Sequence, residues 1–135
     1  MNEHGFIRSI HSRIKRTHAP VHIWKIPGEG GIADCWYDAP EADLWVEYKY
    51  TQSFNKNGFV IPNITKQQNH WLTARYNNER NVWVIVGSPD GHIIMRNCEW
   101  GGRSEIPPLL SSKAVVAAII RETAGQRYVP SDTNK

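Results

Sequence analysis

Residues 31–50 read GIADCWYDAPEADLWVEYKY, and the alternation within them decides the fold. The stretch reads as a β-hairpin with Asp34 on its first arm and Glu47 and Lys49 on its second. Successive strand side chains point to opposite faces, and residues two apart share a face at a spacing of about 6–7 Å. Glu47 and Lys49 therefore look one way, while Val46 and Tyr48 look the other. A hairpin symmetric about the loop Ala39 to Ala42 sets Asp34 directly opposite Glu47. Facing carboxylates on neighbouring strands repel and destabilise a sheet unless something positive lies between them. A hard divalent cation suits that position, since Mg²⁺ prefers oxygen ligands and is commonly held by one or two carboxylates.

The rest of the chain bounds what such a hairpin can serve. At 135 residues the chain is long enough for one domain around a single core. No apolar run approaches the roughly 20 residues of a membrane span. The N-terminus lacks the charged-then-apolar pattern of a secretory signal, so a cytoplasmic location is expected. Cys35 and Cys98 lack zinc-site spacing and read as free, buried thiols. The net charge of +3 is modest. Its distribution is more telling: Arg8, Arg13, Lys15, Arg16 and Lys25 stand against a single acid, Glu3, before residue 26. That concentration suits a polyanionic partner.

Outward from the hairpin, Phe6, Ile7, Ile10 and Ile14 form the apolar stripe of a first helix with Asn2 as its N-cap. Glu3 lies on the same stripe, at the head of a face that should be buried. Val21 to Ile26 alternates as a strand, and Pro27 to Gly31 is a glycine-rich turn that allows close approach of another backbone. Residues 51–63 form a long polar loop next to Lys49, a position suited to substrate contact. Thr65 and Gln68 match a capping box opening a second helix to about Asn78, with Gln68 on the face of Trp71, Leu72 and Arg75. Asn81 to Gly87 is apolar enough for a strand buried on both faces, giving a parallel crossover from residue 44 to 87. His92 to Arg96 is a further strand, and Ser111 or Ser112 caps a last helix that stops at Gly125. Residues 1–125 read as one domain and 126–135 as a flexible tail. The six tryptophans read mostly as core, with Trp100 the best candidate for an exposed one, and His4, His11 and His18 read as exposed or phosphate-facing.

Two carboxylates that hold a divalent ion, with an ammonium beside them, are what metal-assisted phosphodiester cleavage requires. Here the residues resemble a family, the PD-(D/E)xK nucleases, and within it the VRR-NUC group with its stand-alone, phage-type members. Gly30-Gly31-Ile32-Ala33-Asp34 is similar to the family's G-G-x-P-D and Glu47-Tyr48-Lys49 to its E-x-K. Glu3 to Ile10 resembles E-x-x-F-I-x-x-I, and Ile64 to Leu72 resembles L-S/T-x-x-Q-x-x-W-L. Ala33 departs from the usual proline, a residue that shapes backbone and does no chemistry. The likeness spans about residues 3 to 87.

The resemblance implies a restriction-endonuclease-like αβββαβ core, a mixed central sheet flanked by helices, followed here by a C-terminal strand and helix. It implies a DNA endonuclease in which Asp34, Glu47 and the Tyr48 backbone carbonyl bind Mg²⁺, with Mn²⁺ able to substitute. Lys49 would act on the attacking water, Glu3 would complete a second metal or water site, and Gln68 would position substrate. Arg8, Arg13, Lys15, Arg16, Gly30, Gly31, Lys66 and Arg75 are the candidate DNA contacts. A homodimer acting on branched DNA such as Holliday junctions is the family-implied partner arrangement. A nicking or double-strand-cutting, homing-type endonuclease is the alternative within the class. A non-catalytic basic module that grips nucleic acid is the alternative outside it.

Overall fold

The computed structural model describes residues 1–27, 30–54 and 56–130. Its elements follow the expected order: α1 (Glu3–Arg16), β1 (His22–Lys25), β2 (Cys35–Asp38), β3 (Asp43–Tyr50), β4 (Phe59–Val60), α2 (Lys66–Asn77), β5 (Val82–Gly87), β6 (Ile93–Met95), β7 (Ser104–Glu105) and α3 (Ser112–Thr123). The main sheet runs β1-β2-β3-β5-β6, and β4 pairs with β7 as a separate ribbon. β3 and β5 are parallel, joined through α2, while every other pairing in the main sheet is antiparallel. Among the described residues no helix is long and apolar enough to cross a membrane.

Each helix begins where its local chemistry dictates. The Asn2 side chain accepts from the Gly5 N–H, the Ser111 side chain from Ala114, and Thr65 and Gln68 complete a reciprocal capping box. Sheet alternation then divides the core in two. Cys35, Tyr37, Leu44, Val46, Tyr48, Trp83 and Ile85 point to one face, packed under Phe6, Ile10 and Ile14 of α1 and the aliphatic run of α3. Val82, Val84, Val86, Ile93 and Met95 point to the other, covered by Leu72 of α2, Val60 of the ribbon and Trp100. β5 is buried along its whole length, as its unbroken apolar run requires.

Four expectations need correction. Trp100 is buried at 2 % exposure with its ring edge-on to Tyr76, whereas Trp24 on the edge strand is 47 % exposed. His11 is buried, its Nε2 2.7 Å from the Tyr37 hydroxyl. Of the segment 126–135 expected as a tail, residues 126–128 instead form a 3₁₀ turn. Tyr128 and Val129 pack on the core there because both are apolar; residues 131–135 lie outside the described residues. The long loop 51–63 likewise contains strand β4 at Phe59–Val60; Asn55 within it, and Gly28 and Glu29 of the glycine turn, lie outside the described residues.

Candidate active site

The hairpin register is the one its symmetry requires. Cys35 pairs with Val46, Trp36 with Trp45 and Asp38 with Asp43, so one step further Asp34 faces Glu47. The Asp34 carboxylate turns along the strand and its Oδ2 accepts the Tyr48 backbone N–H at 2.9 Å. A strand residue's N–H and C=O point to the same edge, so the Tyr48 carbonyl faces the Asp34 side. Glu47 and Lys49 share the α2 face with Val84 and Val86, their partners on β5.

Gln68 at the head of α2 closes the group. Its Nε2 donates to Glu47 Oε2 at 3.1 Å, and its Oε1 accepts from Lys49 Nζ at 3.3 Å and from the Thr65 N–H at 3.0 Å. One amide thus both caps the helix and bridges Glu47 to Lys49. Lys49 Nζ also lies 3.5 Å from Glu47 Oε2. Glu47 is 2 % exposed, and its other oxygen, Oε1, is buried with no hydrogen-bond partner among the described residues. A buried, unpaired carboxylate oxygen is costly.

The electrostatics show the same strain. Burial and the charge of Asp34 push Glu47 up to about 8, with Lys49 offsetting only part. Burial raises Asp34 as well, against the pull of the Tyr48 N–H and Lys49. Glu3, half-buried at the start of α1, is raised by burial and by Asp34 and lowered by Lys49. Three carboxyl groups and one ammonium, each at least partly buried, therefore act on one another. Among the described residues no three His, Cys, Asp or Glu cluster tightly enough to hold a metal by themselves. The available donors are two carboxylates, one with an orphaned oxygen, and a backbone carbonyl. That set fits a hard divalent cation that keeps several water ligands.

The candidate DNA contacts fall in separate places. Arg8, Lys15 and Arg16 border a hollow of about 610 Å³ between α1 and β1, together with Lys25 and His18. Burial, helped by Lys25 and Lys15, holds the His11 imidazole down at about 4, so it adds no charge there. Arg13 leaves that group and acts electrostatically on His92. Lys66 sits on the outer side of α2, and Arg75 lies over the Trp71 ring at 4.9 Å. Gly31 has a different reason from the one expected. At φ +74° a Cβ there would stand 2.6 Å from the Gln67 carbonyl oxygen, so the backbone that approaches it is the protein's own α2. Gly30, at φ +69° with nothing within 4 Å, answers to backbone conformation alone.

The sequence reading missed an aromatic ladder on this same face. Trp24, Trp36 and Trp45 lie in register across β1, β2 and β3, with ring centres 6.3 and 5.6 Å apart and near-parallel planes. Trp71 of α2 meets Trp45 edge-on. The signal was available in the register, since Trp36 and Trp45 have the same strand parity as Asp34 and Glu47.

No protein-family model matches the chain, and no curated protein does. Among solved structures it is similar to Hjc of Archaeoglobus fulgidus, a Holliday junction resolvase from an archaeal hyperthermophile, with a TM-score of 0.56. The match covers 84 % of this chain and 94 % of that one at 11 % identity. The fold is restriction-endonuclease-like. Identity this low speaks to architecture alone, and the chemistry must be argued from the side chains.

Proposed function

We propose that the protein is a divalent-metal-dependent DNA endonuclease of the PD-(D/E)xK class, VRR-NUC-like and phage-type in its motifs, acting on branched DNA such as four-way junctions. One observation carries the reading. Two carboxylates, Asp34 and Glu47, are held face to face in a buried position with Glu47 Oε1 unpaired, and Lys49 is fixed beside them by Gln68. A domain with no ion to bind gains nothing from that arrangement. The preference for branched DNA is supported by the likeness in fold to a junction resolvase.

In this reading Asp34, Glu47 and the Tyr48 carbonyl hold Mg²⁺, or Mn²⁺ in its place. When bound, the ion supplies Lewis acidity to a phosphate oxygen and lowers the pKa of a water. Lys49 donates to the attacking water or to the phosphate oxygens as negative charge develops. Gln68 holds Lys49 and Glu47 at a fixed separation, and Glu3 serves a second metal or water position. Arg8, Lys15 and Arg16 as one group, and Arg13, Lys66 and Arg75 at separate places, contact phosphates, which positions DNA without reading sequence; Gly30 and Gly31 serve backbone conformation and the packing of α2 instead. The enzyme works as a homodimer, so that two sites face two strands of a junction, in the cytoplasm.

Incubation with supercoiled plasmid and with a four-way junction, each with Mg²⁺ or EDTA, tests this. Metal-dependent cleavage of the junction, lost in Lys49→Ala, is expected. Cleavage that survives Lys49→Ala rejects the site, and tight binding without cleavage under any metal makes the protein a non-catalytic module.

A further inference from the structure

The stretch after Lys49 does not remain a loop. Phe59 and Val60 pair antiparallel with Glu105 and Ser104, and the Ile106 N–H donates to the Gly58 carbonyl. Val60 anchors this ribbon to the core that contains Val84 and Val86. Between the ribbon and the ends of β3 and β5 lies a cleft of about 490 Å³. Glu3 and Lys49 are among the residues that line it, so it adjoins the carboxylate centre. Tyr50, Phe54 and Phe59 supply aromatic surface, and Arg103 enters from the turn before β7 with its guanidinium 4.2 Å from the Phe59 ring centre.

We propose that this cleft takes one unpaired nucleotide of the DNA strand, next to the phosphate bound at the carboxylate centre, and that Phe59 and Arg103 select it. The proposal rests on the nuclease reading above and narrows its substrate to DNA with a base already free, or easily freed, from the stack.

Place, chemistry and size support it. In α/β sheets ligands bind beyond the carboxyl ends of parallel strands, and β3 and β5 are the parallel pair here. Aromatic side chains and arginine planes together are how proteins hold unstacked bases, because every base has a π-face. Arg103 makes no ion pair among the described residues, which leaves its donors for an anionic neighbour such as the nucleotide's own phosphate. Ile61, 69 % exposed, adds an apolar lip to the cleft. A volume of this order suits a small-molecule group, whereas a paired base stays shielded inside the duplex until it is extruded. Intact duplex can lie across the opening without filling it. A branch point or a bulge supplies the missing nucleotide at little cost.

The test is binding of the wild-type protein in EDTA to fluorescent duplexes that differ by one bulged nucleotide. The bulged duplex is expected to bind roughly tenfold more tightly than the intact one, as one stacked base would give. Phe59→Ala should remove that preference and Phe59→Tyr should keep it. Arg103→Gln, on the exposed turn, should reduce it without lowering the melting temperature. Equal affinity for bulged and intact duplex overturns the proposal, as does a loss in Phe59→Ala and Arg103→Gln that is the same for both DNAs. Metal-dependent plasmid cleavage measured in parallel separates the two levels. Cleavage with no bulge preference removes the nucleotide cleft and leaves the nuclease reading intact, whereas bulge preference with no cleavage does the reverse.

Discussion

Glu47 and Tyr48 are neighbours on β3 and almost equally buried, yet they belong to regions built on opposite terms. Tyr48 points into the closed core beneath α1 and α3. There its hydroxyl meets the Tyr37 hydroxyl at 2.5 Å, Tyr37 meets His11, and the rings of Phe6 and His11 stand edge-on to it. Glu47 points to the α2 face, where one oxygen has partners and the other has none, and where a second carboxylate stands opposite. One face pairs most of its polar groups with each other, although His11 Nδ1 is buried with no partner among the described residues. The other sets two carboxyl groups against each other in a dry place, a condition that persists only where the surrounding structure fixes it. The lesson is that a single strand can carry both stability and chemistry, because alternation keeps the two apart.

The sharpest way to break this comparison is to exchange the effects of the two faces. Asp34→Asn is expected to lower cleavage by roughly 10³-fold, the scale of losing an essential electrostatic element, with the fold intact by circular dichroism. Leu44→Ala, on the closed face and fully buried, should lower stability by about 2–5 kcal/mol and leave the cleavage rate of the folded protein unchanged. If Leu44→Ala instead abolishes cleavage at temperatures where it is folded, the faces are not independent.

The pH response sharpens the contrast. Glu47 titrates near 8 in the folded protein, above the roughly 4.3 of an unperturbed glutamate, so the folded chain holds a proton that the unfolded chain has lost. In EDTA, the stability contributed by Glu47 should therefore be fullest below about pH 4 and fall as pH rises towards 8, while His11, held down at about 4, contributes in the opposite sense below the usual histidine value. Glu47→Gln should flatten that fall in urea unfolding curves collected from pH 5 to 8. A wild-type stability that does not fall relative to that of Glu47→Gln between pH 5 and 8 would contradict the carboxylate pair.

Smaller effects distinguish the networks. Tyr37→Phe leaves His11 and Tyr48 each short of a partner and should cost about 1–3 kcal/mol in denaturant unfolding, with no change in cleavage. Gln68→Ala touches both roles at once. It removes half of a capping box, worth about 1 kcal/mol, and frees Lys49, so cleavage should fall while a merely helix-destabilising variant elsewhere on α2 leaves it unaffected.

Much of this was legible in the chain because it follows from local periodicity. Asp34 opposite Glu47 needs only period two and a symmetric loop, the α1 stripe needs only period 3.6, and Thr65 with Gln68 carries its own signature. What could not be read depends on partners far apart in sequence. His11 is buried because two tyrosines, at 37 and 48, place hydroxyls around it. Trp100 is buried because an irregular segment folds back over α2 against Tyr76. Arg103 reaches the site only because residues 104–105 pair with 59–60 across a gap no local pattern spans. Gly31 lies between these cases: its glycine was legible, but the backbone that demands it belongs to α2. The tryptophan ladder was within reach, since the same register that faces Asp34 with Glu47 also faces Trp36 with Trp45.

The most direct measurement is calorimetric titration of Mg²⁺ into the wild-type protein at pH 7, repeated in buffers of different ionisation enthalpy. A saturable site is expected, with release of close to one proton per ion as Glu47 gives up its hydrogen, and with that binding lost in both Asp34→Asn and Glu47→Gln. Binding that releases no proton and survives both substitutions would mean that the facing carboxylates are not a cation site.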